Sequence, residues 1–309
     1  MIRFIRLACI NLCILSLAAY IGVSIYSRSK VDNTAPEITM SEDEITISAQ
    51  DSTDELFSGI TAVDNKDGDV TRYLTLESIS NFISPGTRTA TIAVFDSAGN
   101  VSRVTRTVNY SDYVSPRVSV KEPLRAPVSD ITDLLDKIQI TDCLDGDITE
   151  NLQIVSEKAI STTTPGTYVM NLQVSNSAGD TLDMPVTVEF YNPVEENSRP
   201  VIGLTDYLIY VEKGEEVNPL SYLKNLKLYT DSYVWDPDEK EFVVDKTVME
   251  DEEPEYEMPA ISVDEISIEN PVDTSVPGTY EIQYSFRNYD NIKDTSVRLI
   301  VVVEEREDK

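Results

Sequence analysis

Histidine is absent from all 309 residues, and with it go the His-based triads, the commonest general base and every His-containing zinc site. Cysteine is nearly as scarce. Of three, Cys9 and Cys13 sit in an apolar N-terminal stretch, so Cys143 stands alone in the rest of the chain. No internal disulfide can form there, and every folded module must hold by packing. Cys143 has no activating neighbour and reads as a small turn residue. A Ser-x-x-Lys arrangement in a convincing context is also missing. The expectation is a protein that is not an enzyme.

Positive charge is the next deficit: 25 Lys and Arg stand against 55 Asp and Glu. Four of the bases, Arg3, Arg6, Arg28 and Lys30, fall in the first 30 positions, which hold no acid. Beyond them 21 bases face 55 acids, a formal charge of −34. Such a surface repels phosphate backbones and anionic headgroups, so no nucleic acid is expected as a partner.

What is present begins with Leu7 to Tyr26, an uncharged run interrupted only by Asn11, Ser16, Gly22 and Ser24. As a helix, a stretch of this length reaches ~30 Å, one bilayer core. A cleaved signal peptide is the rival, with Ser16-Leu17-Ala18 as the cleavage site. Cutting there leaves the apolar tail AYIGVSIY without a use, which favours a retained anchor. The acidic bulk argues for a single-pass protein in the cell membrane, N-terminus inside and C-terminal modules outside. Residues 1–30 are the stub and anchor, with 7–26 in contact with the membrane.

The remainder repeats itself. Pro36 recurs as Pro116 and Pro200. Ser84-Pro85-Gly86-Thr87 recurs as Thr164-Pro165-Gly166-Thr167 and as Val276-Pro277-Gly278-Thr279. Asp96-Ser97-Ala98-Gly99-Asn100 returns as Asn176-Ser177-Ala178-Gly179-Asp180, and a third copy of this turn is filled by Asn288 to Asn291, with Asn291 in the glycine position. Tyr168, Met170, Leu172 and Val174 alternate with polar residues, as do Tyr280, Ile282, Tyr284 and Phe286, so these segments are strands with one buried face. A closing strand follows each turn, giving a hairpin. Pro185 in the second closing strand demands an edge or a bulge. Copies one and two also share Asp64-Asn65-Lys66-Asp67-Gly68-Asp69-Val70-Thr71 and Asp142-Cys143-Leu144-Asp145-Gly146-Asp147-Ile148-Thr149.

The third copy lacks that element and carries an insertion at about 226–262, with a candidate hairpin from Tyr233-Val234-Trp235 to Phe242-Val243-Val244 and an acidic run at Glu250 to Glu253. Helical signal outside the anchor is confined to Ile131–Lys137 and Pro219–Asn225. These features predict an all-β chain of three modules, residues 35–110, 111–191 and 198–304.

D-x-x-DGD-[VI]-T, then PGT, an alternating strand and D/N-SAG-N/D, resembles the bacterial Ig-like repeat named after a pesticidal crystal protein. The resemblance is clear over 35–190 and partial over 198–304. It implies three tandem immunoglobulin-like β-sandwiches behind the single transmembrane helix, on an exported bacterial protein whose modules act as spacers or adhesive units.

Two constellations are candidates for chemistry. Asp64, Asp67 and Asp69, with Asp142, Asp145 and Asp147, offer oxygen ligands suited to calcium. Their order is not that of an EF-hand, and an Asp-Gly turn with acids capping backbone amides accounts for the same residues. No cofactor or metal is therefore assigned. Tyr229, Tyr233 and Trp235 share strand parity, so Tyr233 and Trp235 are candidate contacts for a protein or carbohydrate on a cell surface. The competing reading packs Trp235 in the core of the enlarged module. The function expected is a stalk with an adhesive or ligand-binding tip. The alternatives are an accessory subunit of a membrane complex held by the helix, or a protein secreted after signal cleavage.

Overall fold

A computed structural model describes residues 2–30, 32–155, 162–196, 199–228, 231–247, 259–286 and 295–305. The chain opens with α1 (Ile2–Lys30), one uninterrupted helix. Within it Phe4–Tyr26, 23 residues long, is long and apolar enough to cross a membrane, and none of it is buried against the protein. The span takes in Phe4 and Ile5 ahead of Leu7. Ser16 turns its hydroxyl back onto the Cys13 carbonyl at 2.9 Å, which satisfies a polar group within the helix. An N-terminal helix of this kind serves as a membrane anchor or a signal sequence.

The chain divides into two compact units, Met1–Tyr113 and Val114–Lys309. In the first, β1 (Glu37–Met40), β2 (Glu44–Ile47), β3 (Ile60–Asp64), β4 (Gly68–Asp69), β5 (Thr75–Ile79), β6 (Thr87–Phe95) and β7 (Val101–Tyr110) form two sheets, ordered β1-β3-β4 and β2-β7-β6-β5. The opening strand is split between them: β1 runs antiparallel to β3, while β2 pairs in parallel with β7. This is the layout of an immunoglobulin-like sandwich. Its core is small, built around Ala62, Val70 and Val94 at one end and Ile47, Leu56, Ala90 and Val108 at the other. Arg106 lies at an inward position of β7 and is buried. Its guanidinium donates to the carbonyls of Leu56 (3.0 Å), Ser58 (2.8 Å) and Glu42 (3.1 Å), closing main-chain groups that no strand reaches.

The second unit holds two more sandwiches. In the first of these, β8 (Arg117–Val120), β9 (Arg125–Pro127), β10 (Ile138–Asp142), β11 (Gly146–Asp147), β12 (Gln153–Val155), β13 (Gly166–Ser175) and β14 (Thr181–Tyr191) give sheets β11-β10-β8 and β12-β13-β14-β9, with α2 (Ile131–Leu135) after β9. β9 pairs in parallel with β14, but only at Glu189 to Tyr191. Pro185 therefore faces Asn171 of β13 on one side and has no strand on the other, so its missing N–H costs no ladder bond.

A short helix, α3 (Pro193–Glu196), leads into the last sandwich. Its strands are β15 (Val201–Leu204), β16 (Leu208–Glu212), β17 (Leu223–Leu228), β18 (Asp231–Asp236), β19 (Glu241–Val244), β20 (Ile261–Ser262), β21 (Ile266–Glu269), β22 (Gly278–Phe286) and β23 (Thr295–Glu304). The sheets are β15-β17-β18-β19-β20 and β16-β23-β22-β21, with β16 parallel to β23. The insertion widens a sheet: β18 and β19 are the expected hairpin, pairing Tyr233 with Val244, Val234 with Val243 and Trp235 with Phe242. Tyr229, the acidic run at Glu250 to Glu253 and the turn at Asn288 to Asn291 lie outside the described residues.

Strand β23 joins the two sandwiches of the second unit. Val297, Leu299, Val301 and Val303 point into its own core, while Ile300 and Val302 pack against the core of the preceding sandwich. A strand covered on both faces reads as a continuous apolar run, and Leu299-Ile300-Val301-Val302-Val303 is one. Polar contacts frame the seam. The Thr187 N–H donates to Glu281 at 2.6 Å, and Arg117 bonds Glu304 at 2.6 Å with its guanidinium 4.4 Å from the centre of the Tyr210 ring.

Candidate functional site

The Asp-Gly-Asp elements are turns stitched to the Ser-Ala-Gly turns. Asp64, at the end of β3, accepts from the N–H of Lys66 and of Asp67 through Oδ1, both at 2.8 Å. Gly68 follows at φ +72°, a left-handed conformation in which glycine costs least. Asp69 accepts from the Thr71 N–H at 2.9 Å. Asp67 crosses to the neighbouring turn and takes the Ser97 N–H at 2.6 Å and the Ser97 hydroxyl at 2.9 Å.

The second sandwich repeats the set: Asp142 accepts from Leu144 and Asp145, Asp147 from Thr149, and Asp145 from the Ser177 N–H (2.6 Å) and hydroxyl (2.7 Å). Two motifs about 30 residues apart thus form one hydrogen-bonded device. The third copy lacks both the Asp-Gly-Asp element and a serine in the turn, as a paired device requires. Among the described residues the carboxylates of Asp64, Asp67 and Asp69, and those of Asp142, Asp145 and Asp147, do not come within 4.8 Å of one another as a group, so the calcium grouping read along the motif does not converge in space.

A different trio does. Asp64, Asp96 and Asp32 each place a carboxylate oxygen within 4.8 Å of the other two, the one such group among the described residues. Asp64 is 3 % exposed and Asp96 8 %. Asp96 Oδ1 accepts from the N–H of Ala98 (2.9 Å) and Asn100 (2.7 Å), and Oδ2 from the Asn100 amide at 2.6 Å. Asp32 Oδ1 accepts from the Thr34 N–H at 3.2 Å and lies 3.7 Å from the Lys66 ammonium. Asp64 Oδ2 is buried and accepts nothing. The backbone N–H groups of Asp67 and Lys66 hold the Asp64 carboxyl below its ordinary range. Burial pushes Asp96 upward, but the Asn100 side chain and the turn's N–H groups outweigh it, and Asp96 is also lowered.

The second sandwich solves the same geometry without a second carboxylate. Asn176 stands where Asp96 does, and its Nδ2 donates to Asp142 Oδ2 at 3.0 Å, while its Oδ1 takes the N–H of Ala178 (3.0 Å) and Asp180 (2.9 Å). Reading each motif along the chain missed Asp96 and Asp32 as partners of Asp64. The signal was the exchange of Asp96 for Asn176 in turns that otherwise match.

Tyr233 and Trp235 share a face of β18, as their parity requires, and that face is turned inward. Tyr233 is 5 % exposed within the core of its sandwich. Trp235 is half-buried, its ring centre 5.1 Å from that of Phe242, and its indole N–H is buried without an acceptor. Trp235 keeps part of its side chain exposed, whereas Tyr233 is closed off in the core.

No family model and no curated protein sequence matches the chain. Among solved structures, the CBM51-2 and INT domains of Clostridium perfringens ZmpB, in complex with GlcNAc, align at 19% identity with a TM-score of 0.21, over 48% of this chain and 26% of that one. The human desmocollin-1 ectodomain aligns at 11% identity with a TM-score of 0.17, over 90% of this chain and 62% of that one. Mouse cadherin-23 EC22-24 gives 10%, 0.16, 89% and 100% for the same quantities. The chain spans 26% and 31% of the two ZmpB structures. The sandwich architecture rests on the strand pairings above: an all-β chain of Ig-like sandwiches behind one apolar N-terminal helix.

Proposed function

We propose that the chain is a membrane-anchored bacterial surface protein, not an enzyme, whose Ig-like modules of the pesticidal-crystal-protein type act as a stalk and an adhesive or ligand-binding tip. The observation that carries this reading is the helix: the 23-residue span from Phe4 to Tyr26 is apolar on average and is not buried against the protein, and such a surface is stable only in lipid or against another apolar partner. The double-faced β23 supports the mechanical half of the proposal, because a seam in which one strand serves two cores resists bending. The widened sheet of the last sandwich, with the edge of Trp235, is the proposed contact for a protein or carbohydrate on a facing cell.

The test uses the full chain, in intact cells and in liposomes. Protease should remove the sandwiches from the outside of right-side-out cells, and liposomes bearing the protein should adhere to bacterial or host cell surfaces. Replacing Trp235 by Ala should weaken adhesion in a chain whose circular dichroism is unchanged. Absence of adhesion would overturn the tip.

The second reading is a subunit held by its helix, favoured by the exposed face that Cys9, Ile10, Cys13, Ile14 and Leu17 share on α1. It predicts that a bulky replacement on that face, Cys13→Trp, releases a membrane partner. The mass of the mature protein separates both readings from secretion after cleavage.

A further inference from the structure

We infer that Asp32, Asp64 and Asp96 bind a hard divalent cation of the calcium class. Three carboxylates converge within 4.8 Å, and two of them are withdrawn from water. Clustered acids alone would not carry the assignment. The second observation is Asp64 Oδ2, a buried carboxylate oxygen with no donor. Charged oxygens left unpaired in a protein interior are strongly disfavoured, so a positive group belongs there.

The repeat supplies an internal control. In the second sandwich the equivalent oxygen, Asp142 Oδ2, is satisfied by the amide of Asn176 at 3.0 Å. An aspartate at that position has no proton to give, so Asp96 leaves open what Asn176 closes, and a cation closes it in its place. Lys66 does not fill the role. Its ammonium pairs with Asp32 at 3.7 Å and is itself 44 % exposed, and it makes no ion pair with Asp64 or Asp96.

The donors set the class of ion. All are oxygens, with no imidazole or thiolate in the group, which disfavours zinc and copper and suits calcium or magnesium. The carboxylates come from three separate places: the segment ahead of β1, the end of β3 and the turn after β6. Calcium tolerates such an irregular set, completing its shell with water, where magnesium demands near-octahedral order. Because Asp32 lies between α1 and β1, binding would tie the segment leaving the helix to the first sandwich.

The experiment takes the full chain in detergent, stripped with a chelator, and titrates calcium chloride by calorimetry with thermal unfolding and amide exchange in parallel. Calcium should bind, raise the Tm and slow exchange at residues 32–36 and 64–67. Asp96→Asn imports the arrangement of the second sandwich: it should fold, match or exceed the metal-free parent in Tm, and lose calcium affinity by at least about tenfold, as removal of a charged ligand does. Asp32→Asn should weaken binding with no loss of metal-free stability. The proposal is overturned if the parent gives neither heat nor a Tm change with calcium, or if Asp96→Asn binds as the parent does. A response to magnesium with none to calcium overturns the calcium assignment.

Discussion

The Tyr210 hydroxyl sits astride the main chain of Val118, accepting from its N–H at 2.8 Å and donating to its C=O at 3.2 Å. Val118 is on β8, at the edge of its sheet, and its cross-strand neighbour Ile140 directs its own N–H and C=O away, to Thr149 and Ile148. The two groups of Val118 would otherwise be an open strand edge. A tyrosine from the next sandwich closes it, and burial at the seam raises the phenol above its ordinary range.

Tyr210→Phe removes only the oxygen. The loss expected is about 1–3 kcal/mol, the cost of leaving main-chain groups unpaired in a partly buried place, and the Val118 amide should exchange faster with solvent. Denaturant unfolding with amide exchange measures both. A change below about 0.5 kcal/mol would mean that water replaces the hydroxyl there.

Ile300 tests the seam from its apolar side. It is 2 % exposed and belongs to the core of the preceding sandwich, although its strand is the last among the described residues. Ile300→Ala should cost about 2–5 kcal/mol. Ile300→Asp should do more than destabilise: the last two sandwiches, expected to unfold together while β23 serves both, should separate into two transitions in guanidinium. One unchanged cooperative transition would show that the seam does not couple them.

The contrast between closing strands explains what could be read in advance. In β14, Met184, Val186, Val188 and Phe190 alternate with polar residues, so one buried face was evident. In β23 the same parity was visible at Val297, Leu299, Val301 and Val303, but Ile300 and Val302 broke the alternation, and that break recorded a second buried face. Hairpins, the edge position of Pro185 and the helix at Ile131–Leu135 followed from local rules, whereas the helical turn expected over 219–225 stops at Tyr222 because Leu223 begins β17, and Pro193–Glu196 is a helix that no local signal announced. The stitch from Asp67 to Ser97 and the convergence of Asp32, Asp64 and Asp96 depend on how loops meet across a sandwich, which strand periodicity does not encode. Arg106 was equally silent, because nothing local distinguishes a buried arginine serving three carbonyls from a solvated one.

Acid should loosen the Asp-Gly-Asp turn of the second sandwich in a defined direction. The Thr149 hydroxyl, then the Thr149 N–H and the Gln139 amide, hold the Asp147 carboxyl below its ordinary value. A group depressed in the folded state contributes stability above its unfolded pKa, near 3.9 for aspartate, and that contribution is lost as pH falls through the lower folded value. Thr149→Val should therefore raise the Asp147 pKa toward the unfolded value and narrow the acid window over which stability falls. Carboxyl carbon NMR titration of parent and variant reads the shift directly; an unmoved Asp147 would assign the depression to the Thr149 N–H and the Gln139 amide.

The stitch itself is measurable as a coupling between Asp145 and Ser177, whose N–H and hydroxyl donate at 2.6 and 2.7 Å. Asp145→Ala loses both hydrogen bonds, and Ser177→Ala loses only the one from the hydroxyl. A double-mutant cycle should return a coupling of about 0.5–1.5 kcal/mol, within the range for contacting residues and modest because the pair is solvent-exposed. The same cycle on Asp67 and Ser97 should give a matching value, since the first sandwich repeats the contact at 2.6 and 2.9 Å. Equal couplings would establish the stitch as the reason the two motifs occur together and disappear together in the third sandwich. A coupling near zero in both would leave the Asp-Gly-Asp turn to be explained by its own Asx capping.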